Sequence, residues 1–391
     1  MKRIVIIIVF IAQSIHAQKL TTNNIVVDFE NSQPISNVNV FNSINSTITN
    51  NDGLFTFNSD LNSITISHLG YEDINTNFTN LNINDTIFLK QNKTLLKEVV
   101  ITDNKQLINN VYDNVALNYP FESFTEEAFV RCILRKNDKI IKFQDMVVNL
   151  GRNTLFTNNN IKKIECNLQI LDLRKAGIVS KSSREPDFKL LSINELLNWY
   201  SAIFTIPQYY SYQTNRSFDN NYLKIDFLKK ENQTLQESLE GYYVINIDDF
   251  ALQELNYKTV FEDETKIPFN ENKNVKWRTI GKELFIQYKK NVEQNKYFIN
   301  NGLLKNIVEV IINDTKSIYE ASYHIVSLKN NKKNIVKSNF STTKDLFKAD
   351  IKFNSTFWEG QNQLILDNEL KDFIKNLDGY KKEYDIYSNF K

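Results

Sequence analysis

Tyr222-Leu223-Lys224-Ile225-Asp226-Phe227-Leu228 places Leu223, Ile225 and Phe227 at every second position, with Lys224 and Asp226 between them. A period of two sends alternate side chains to opposite faces, so this stretch reads as a strand buried on one side only. Stretches of the same kind recur on both sides of it, at Glu127–Leu134, Ile140–Leu150, Tyr242–Ile247, Leu252–Phe261, Val275–Tyr288, Leu303–Ile312 and Ile318–Leu328. Asp248-Asp249 and Asn313-Asp314 supply turns between neighbours. The expected body over residues 121–391 is therefore a long antiparallel curved sheet.

Helices punctuate this pattern. Ser192 and Glu195 stand three apart, as a capping box requires, ahead of Leu196, Leu197, Tyr200, Ile203 and Phe204 on one face, so a helix is expected near 192–204. Asp367 can cap a second near 367–378, carrying Leu370, Phe373, Ile374 and Leu377 and stopped by Gly379. Asp103 opens a third, with Leu107, Val111 and Val115 at four-residue spacing and Pro120 ending it. That third helix lies in a linker and connector over 93–120.

Upstream, short strands follow one another between turn signals: Ile25–Val27, Val38–Val40, Leu54–Phe57, Ile64–Ser67 and Thr86–Leu89. Asn51-Asp52-Gly53 is a tight-turn sequence, because Gly and Asn tolerate positive φ. Gly53 should turn Phe55 and Phe57 into a core, and Gly70 should let Tyr71 pack back. Five strands in about seventy residues suggest a sandwich. The fold class expected of the whole is mainly β: an N-terminal sandwich, a helical connector, and the curved sheet with a few packed helices.

The blocks Val27-Asp28 with Gln33–Val40, Thr49–Phe55, and Ile64–Tyr71 resemble the carboxypeptidase-like regulatory domain, a transthyretin-like or immunoglobulin-like sandwich of exported Bacteroidota proteins. The likeness covers about 18–92 and departs from the pattern where Ile25 or Val26 replaces a usual glycine. Leu95–Ile101 is similar to the stretch that follows this domain in TonB-dependent transporters. Too few residues follow here for a plug and barrel, so a transporter is not expected. Leu117–Pro120 with Glu127–Leu134, and Phe357-Trp358-Glu359-Gly360, resemble parts of larger Bacteroidota envelope proteins. The curved sheet with helices against it is weakly similar to the half-barrel of periplasmic lipoprotein carriers.

Met1-Lys2-Arg3, the apolar run Ile4–Ala12 and a small residue at Ala17 have the layout of a cleaved export signal over 1–17. The run is well short of the ~20 residues a spanning helix needs, and no later stretch is apolar enough to cross a bilayer as a helix. The 47 Lys+Arg against 46 Asp+Glu leave no basic excess for phosphates, so nucleic acid is excluded as an electrostatic partner. On Val275–Tyr288, Lys276, Arg278 and Lys282 share one face while Glu283 and Gln287 mark the other, so neither suits the lipid side of a barrel.

Little in the sequence points to chemistry. The mature chain has two histidines, His68 and His324, in no zinc-binding spacing. There is no Gly-x-Ser-x-Gly elbow and no glycine-rich nucleotide loop. Asp248-Asp249 and Glu262-Asp263-Glu264 read as solvated turns. No catalytic, cofactor or metal residue is assigned. Cys132 shares an apolar alternation with Val130 and Leu134, and Cys166 with Ile164 and Leu168. Export permits a disulfide between them, worth about 3–4 kcal/mol in the chain-entropy model; two buried thiols are the other reading.

The surplus that could serve binding is aromatic: 27 Phe, 18 Tyr and 3 Trp, densest at Trp199, Tyr200, Phe204, Tyr209, Tyr210 and Tyr212. Rings on a loop can grip sugars, lipid chains or peptides, although a large core together with the compositional bias accounts for them more simply. The function expected is a non-catalytic exported binding or scaffolding protein of the periplasm or outer membrane, its partner an envelope protein, glycan or lipid. The alternative is a periplasmic carrier of a lipid or other hydrophobic ligand, which an apolar cavity beneath the 192–204 helix would support and a filled core there would oppose. A hydrolase would need a histidine set among acidic and nucleophilic groups.

Overall fold

The computed structural model describes residues 20–92, 104–158, 160–161, 163–181, 189–201, 209–219, 221–231, 236–331 and 335–390. The export signal, Leu95–Ile101, Asp103 and Phe204 lie outside these residues. The chain is mainly β, with a long antiparallel curved sheet and a few helices.

Residues 20–92 form the expected sandwich. Strands β1 (Leu20–Asp28), β4 (Leu54–Ser59) and β7 (Thr86–Leu89) make one sheet in the order β4-β1-β7. Strands β2 (Asn39–Phe41), β3 (Ser46–Ile48), β5 (Ser63–Ser67) and β6 (Ile74–Asn77) make the other, in the order β3-β2-β5-β6. Val26, Val38, Val40, Phe55, Phe57, Ile64, Ile66 and Leu89 fill the space between. Gly53 has φ +73°, and a Cβ there would stand 2.5 Å from the Val26 carbonyl oxygen, so the turn admits only glycine. Tyr71 packs back as expected, and its hydroxyl donates to Asp28 Oδ2 at 2.9 Å. Gln91 Nε2 donates to the same oxygen at 3.0 Å, and these bonds, with two from the backbone, hold the Asp28 carboxyl down to about 2.

Helix α1 (Asn104–Asn118) leads into the main sheet. Its strands are β8 (Phe124–Lys136), β9 (Lys139–Arg152), β10 (Cys166–Ser180), β11 (Tyr210–Asp219), β12 (Tyr222–Lys229), β13 (Glu237–Asn246), β14 (Leu252–Phe261), β15 (Asn270–Asn272), β16 (Val275–Asn291), β17 (Lys296–Ile312), β18 (Thr315–Asn331) and β19 (Tyr384–Ser388). The order is β11-β12-β13-β14-β16-β17-β18-β8-β9-β10-β19, antiparallel throughout, with β15 paired to β16. Two meanders are thus joined where β18 pairs with β8, Tyr323 opposite Cys132 and His324 opposite Arg131.

The sheet has two covered faces. Against one lie α1 and α2 (Ile193–Ser201), with Leu107, Ile108, Val111, Ile193, Leu196, Leu197 and Tyr200 buried among Phe227, Tyr243, Leu255, Ile286 and Tyr323. The other meets the sandwich through Ile48, Phe129, Val147, Val326 and Leu328, joined by Trp358 and Leu364 from the C-terminal segment. That second contact is otherwise polar: Ser46 Oγ donates to the Ser327 carbonyl at 2.7 Å, and Asn58 and Asn362 exchange two bonds at 2.7 and 2.9 Å.

Several boundaries differ from the expectation, each for a physical reason. The strand expected from Leu303 begins at Lys296, because Asn300-Asn301-Gly302 stays within the strand, with a bulge at Asn300: the Tyr200 ring occupies the place of a Gly302 side chain, 2.9 Å from where a Cβ would be. The strand expected from Tyr242 begins at Glu237 and carries Gly241 where β14 crowds closest. β10 has no clean alternation because a bulge between Ile170 and Asp172 shifts its register. Helix α4 (Asn368–Lys375), which follows a short α3 (Ser355–Glu359), ends before Gly379; Asn376 closes it, and Gly379 lies inside a 3-10 turn over Leu377–Lys382.

Candidate functional site

The capping box forms as expected. Ser192 N and Oγ donate to Glu195 Oε2 at 2.8 and 2.6 Å, and Glu195 N donates to Ser192 Oγ at 3.3 Å. The box starts α2 so that Ile193, Leu196, Leu197 and Tyr200 all face the sheet at 1% exposure or less. The Tyr200 hydroxyl donates to the Tyr323 carbonyl at 3.2 Å, and the Tyr323 hydroxyl accepts from Leu191 N at 2.9 Å. The space beneath α2 is filled, the outcome that opposes a preformed cavity there.

The aromatic cluster divides. Tyr200 and Tyr210 belong to the core; Tyr210 stacks edge-on against Phe227 at 6.1 Å and its hydroxyl accepts from Leu239 N. Trp199 and Tyr209 are half-buried at the margin of the same core, and Lys282 Nζ lies 4.6 Å from the Trp199 ring centre. Trp199 and Tyr209 therefore retain surface for a ligand, whereas Tyr200 and Tyr210 would have to leave the core to touch one.

Cys132 and Cys166 are free thiols. Cys132 stands opposite Gln144 and Cys166 opposite Arg152, so eight residues of β9 separate them, roughly 26 Å at a strand's rise. Burial pushes the Cys132 thiol well above its ordinary value, and burial raises Cys166 to about 11. Neither is a ready nucleophile.

Two buried charge groups had no signal in the sequence beyond a charged residue at an alternating position. On the sandwich face, Asp145 accepts from Arg131 at 2.8 and 2.9 Å and from Arg174 at 3.0 and 2.7 Å. Arg131 also donates to the carbonyls of Leu364 and Ile365, tying down the C-terminal segment, while Trp358 Nε1 donates to Asp172 and its ring carries the Arg174 guanidinium at 4.6 Å. On the helix face, Arg152 Nη1 meets Glu126 at 3.1 Å, both fully buried. Arg152 lies between Phe124 of β8 and Cys166 of β10, beside a box of Tyr119, Phe156, Tyr288 and Tyr297 whose ring centres are 5.0–6.1 Å apart.

His324 sits beside Arg131, and burial with that positive charge lowers its imidazole to about 3. Its Nε2 has no hydrogen-bond partner among the described residues, and neither does Nδ1 of His68, itself lowered by burial. Among the described residues, neither histidine is hydrogen-bonded to a carboxylate or a nucleophile. The described residues hold no group of three or more His, Cys, Asp or Glu able to bind a metal, and no helix long and apolar enough to cross a membrane. A shallow hollow of about 160 Å³ opens near Asn256, Lys258, Glu283, Phe285 and Leu303.

No protein-family model matches the sequence and no curated protein matches it. Among solved structures, the chain is similar to a putative outer membrane lipoprotein-sorting protein domain from Vibrio parahaemolyticus, at 8% identity and a TM-score of 0.28, over 61% of this chain and 96% of that one. It is also similar to lipovitellin, at 9% identity and a TM-score of 0.26, over 58% of this chain and 27% of that one. A LolA superfamily protein from Nitrosomonas europaea follows at 10% identity and a TM-score of 0.19, over 59% and 94%. Scores this low describe loose likenesses and define neither family nor ligand.

Proposed function

We propose that the chain is an exported binding protein of the bacterial envelope that works without a reactive centre. The observation that carries this reading is how two charge clusters of the main sheet and both histidines are spent. Arg131, Asp145 and Arg174 close on one another and on the C-terminal segment, and Arg278 and Lys316 close on Glu309. Both histidines are held toward the neutral form, and among the described residues neither is hydrogen-bonded to an acid or a nucleophile. A general base needs the opposite: a proton affinity near the working pH and a partner within reach. The basic, then apolar, then small-residue layout of 1–17 supports export, and the sandwich supports the proposed kinship with the carboxypeptidase-like regulatory domain.

A second reading is that of a carrier holding an acyl chain on the helix face. It is favoured by the apolar helix face, where α2 lies across β17 and β18 with four fully buried side chains. Because that space is packed, a chain would enter by displacing α2 rather than by filling a ready cavity.

Native mass spectrometry of the mature protein, purified gently from its own envelope fraction, tests both. A co-purifying protein or glycan supports the first reading, and a released acyl-bearing mass supports the second. Turnover of a substrate panel, abolished by changing His324 or His68, would overturn both.

A further inference from the structure

Arg131 and Arg152 make an internal contrast. Arg131 uses Nε and both terminal nitrogens in four bonds, two to Asp145 and two to carbonyls. Arg152 is as deeply buried, yet it makes one bond to Glu126 at 3.1 Å and one long contact to the Leu155 carbonyl at 3.4 Å. Its Nε–H has no partner among the described residues, and neither has the hydroxyl of Tyr288, itself 1% exposed. A guanidinium offers five donors, and each buried donor left unmade is costly. Both groups border the same loop: Leu155 accepts from Arg152, and the Phe156 ring lies 6.1 Å from that of Tyr288.

The site lies between the two helices of that face. Leu155 N donates to the carbonyl of Pro120, just past α1, and Cys166 Sγ donates to Asn194 at the start of α2. We propose that Arg152 Nε and the Tyr288 hydroxyl receive the carbonyl oxygen of an ester- or amide-linked acyl chain, whose tail lies along the apolar helix face. The inference rests on the carrier reading and names its ligand class. Two donors match the two lone pairs of one carbonyl oxygen. Glu126 already neutralises Arg152, so a free carboxylate or phosphate would bring an unbalanced charge into the interior, while a neutral carbonyl would not.

The test uses the purified protein and two probes: 1-monooleoylglycerol, and its ether counterpart, which lacks the carbonyl. Each displaces an environment-sensitive dye, and oleate is run beside them. The ester should bind at least about tenfold more tightly than the ether, as one hydrogen bond from a guanidinium and one from a phenol allow, and more tightly than oleate. Tyr288→Phe should cut the ester preference to a few-fold while leaving the ligand-free protein at least as stable as wild type, because it removes a buried hydroxyl without touching the ion pair. Ester and ether binding equally would overturn the carbonyl site while leaving the carrier reading in place, and so would an ester preference undiminished in Tyr288→Phe. Binding of neither probe would overturn the carrier reading itself.

Discussion

Asp145→Ala is the most informative single change, because Asp145 is fully buried and receives four N–H donors from two arginines. Removing it leaves two guanidiniums inside the sandwich face with like charge and no counter-ion. Breaking a buried pair in this way costs about 3–5 kcal/mol, a large part of the roughly 5–15 kcal/mol that holds a typical protein folded. At about 2–4 °C per kcal/mol for domains of 150–250 residues, the midpoint should fall by roughly 6–20 °C. Urea denaturation at neutral pH gives the free energy directly, and hydrogen exchange should show residues 354–366 loosening first, since Arg131 holds Leu364 and Ile365. The companion variant replaces Arg131 and Arg174 by Met and Asp145 by Leu. With no charge left unpaired, it should recover most of the loss. A single variant within 1 kcal/mol of wild type, or a triple variant no better than the single, would refute the reasoning.

Gly302→Ala should cost about 1–3 kcal/mol, because its Cβ would meet the Tyr200 ring at 2.9 Å; the same change in a Tyr200→Leu background should cost much less by urea titration. Ser192→Ala should remove about 0.5–2 kcal/mol by opening the capping box, read as faster exchange of the first amides of α2. His324 titrates near 6.5 when unfolded and about 3 when folded, so the unfolded chain binds the extra proton between those values. Stability should therefore be unaffected by this group above pH 6.5 and fall as pH drops toward 3, with a flatter profile in His324→Gln. A thiol reagent at pH 8 should leave Cys132 and Cys166 almost unreacted in the native protein and find two thiols in denaturant without reductant.

Most of the secondary structure was legible in the residues. Alternation located β12, β14 and β16 closely, and Ser192 with Glu195 and Asp367 marked where α2 and α4 begin. The failures share a cause. Asn300-Asn301-Gly302 carries a turn's composition, yet it runs through a strand because Tyr200, a hundred residues away, needs the room that Gly302 leaves. In β10 the bulge, the buried Asp172 and the half-buried Arg174 hide the alternation. The candidate site was less legible. The aromatic cluster was visible and Tyr200 fell on the apolar face of α2, but nothing marked Tyr210 as core while Trp199 keeps surface. Arg131, Asp145, Arg152 and Glu126 gave no sign of pairing.

The sequence by itself determined period and local stereochemistry: which stretches are strands, where Gly53 must turn, where helices are capped. These depend on neighbours a few residues apart, so the residues in hand suffice. Only the tertiary structure decided that β18 pairs with β8, that one face receives helices and the other the sandwich, and that one buried arginine is fully bonded while another is not. Those outcomes depend on groups far apart in the chain competing for the same buried space and the same few hydrogen bonds, a contest no local pattern records.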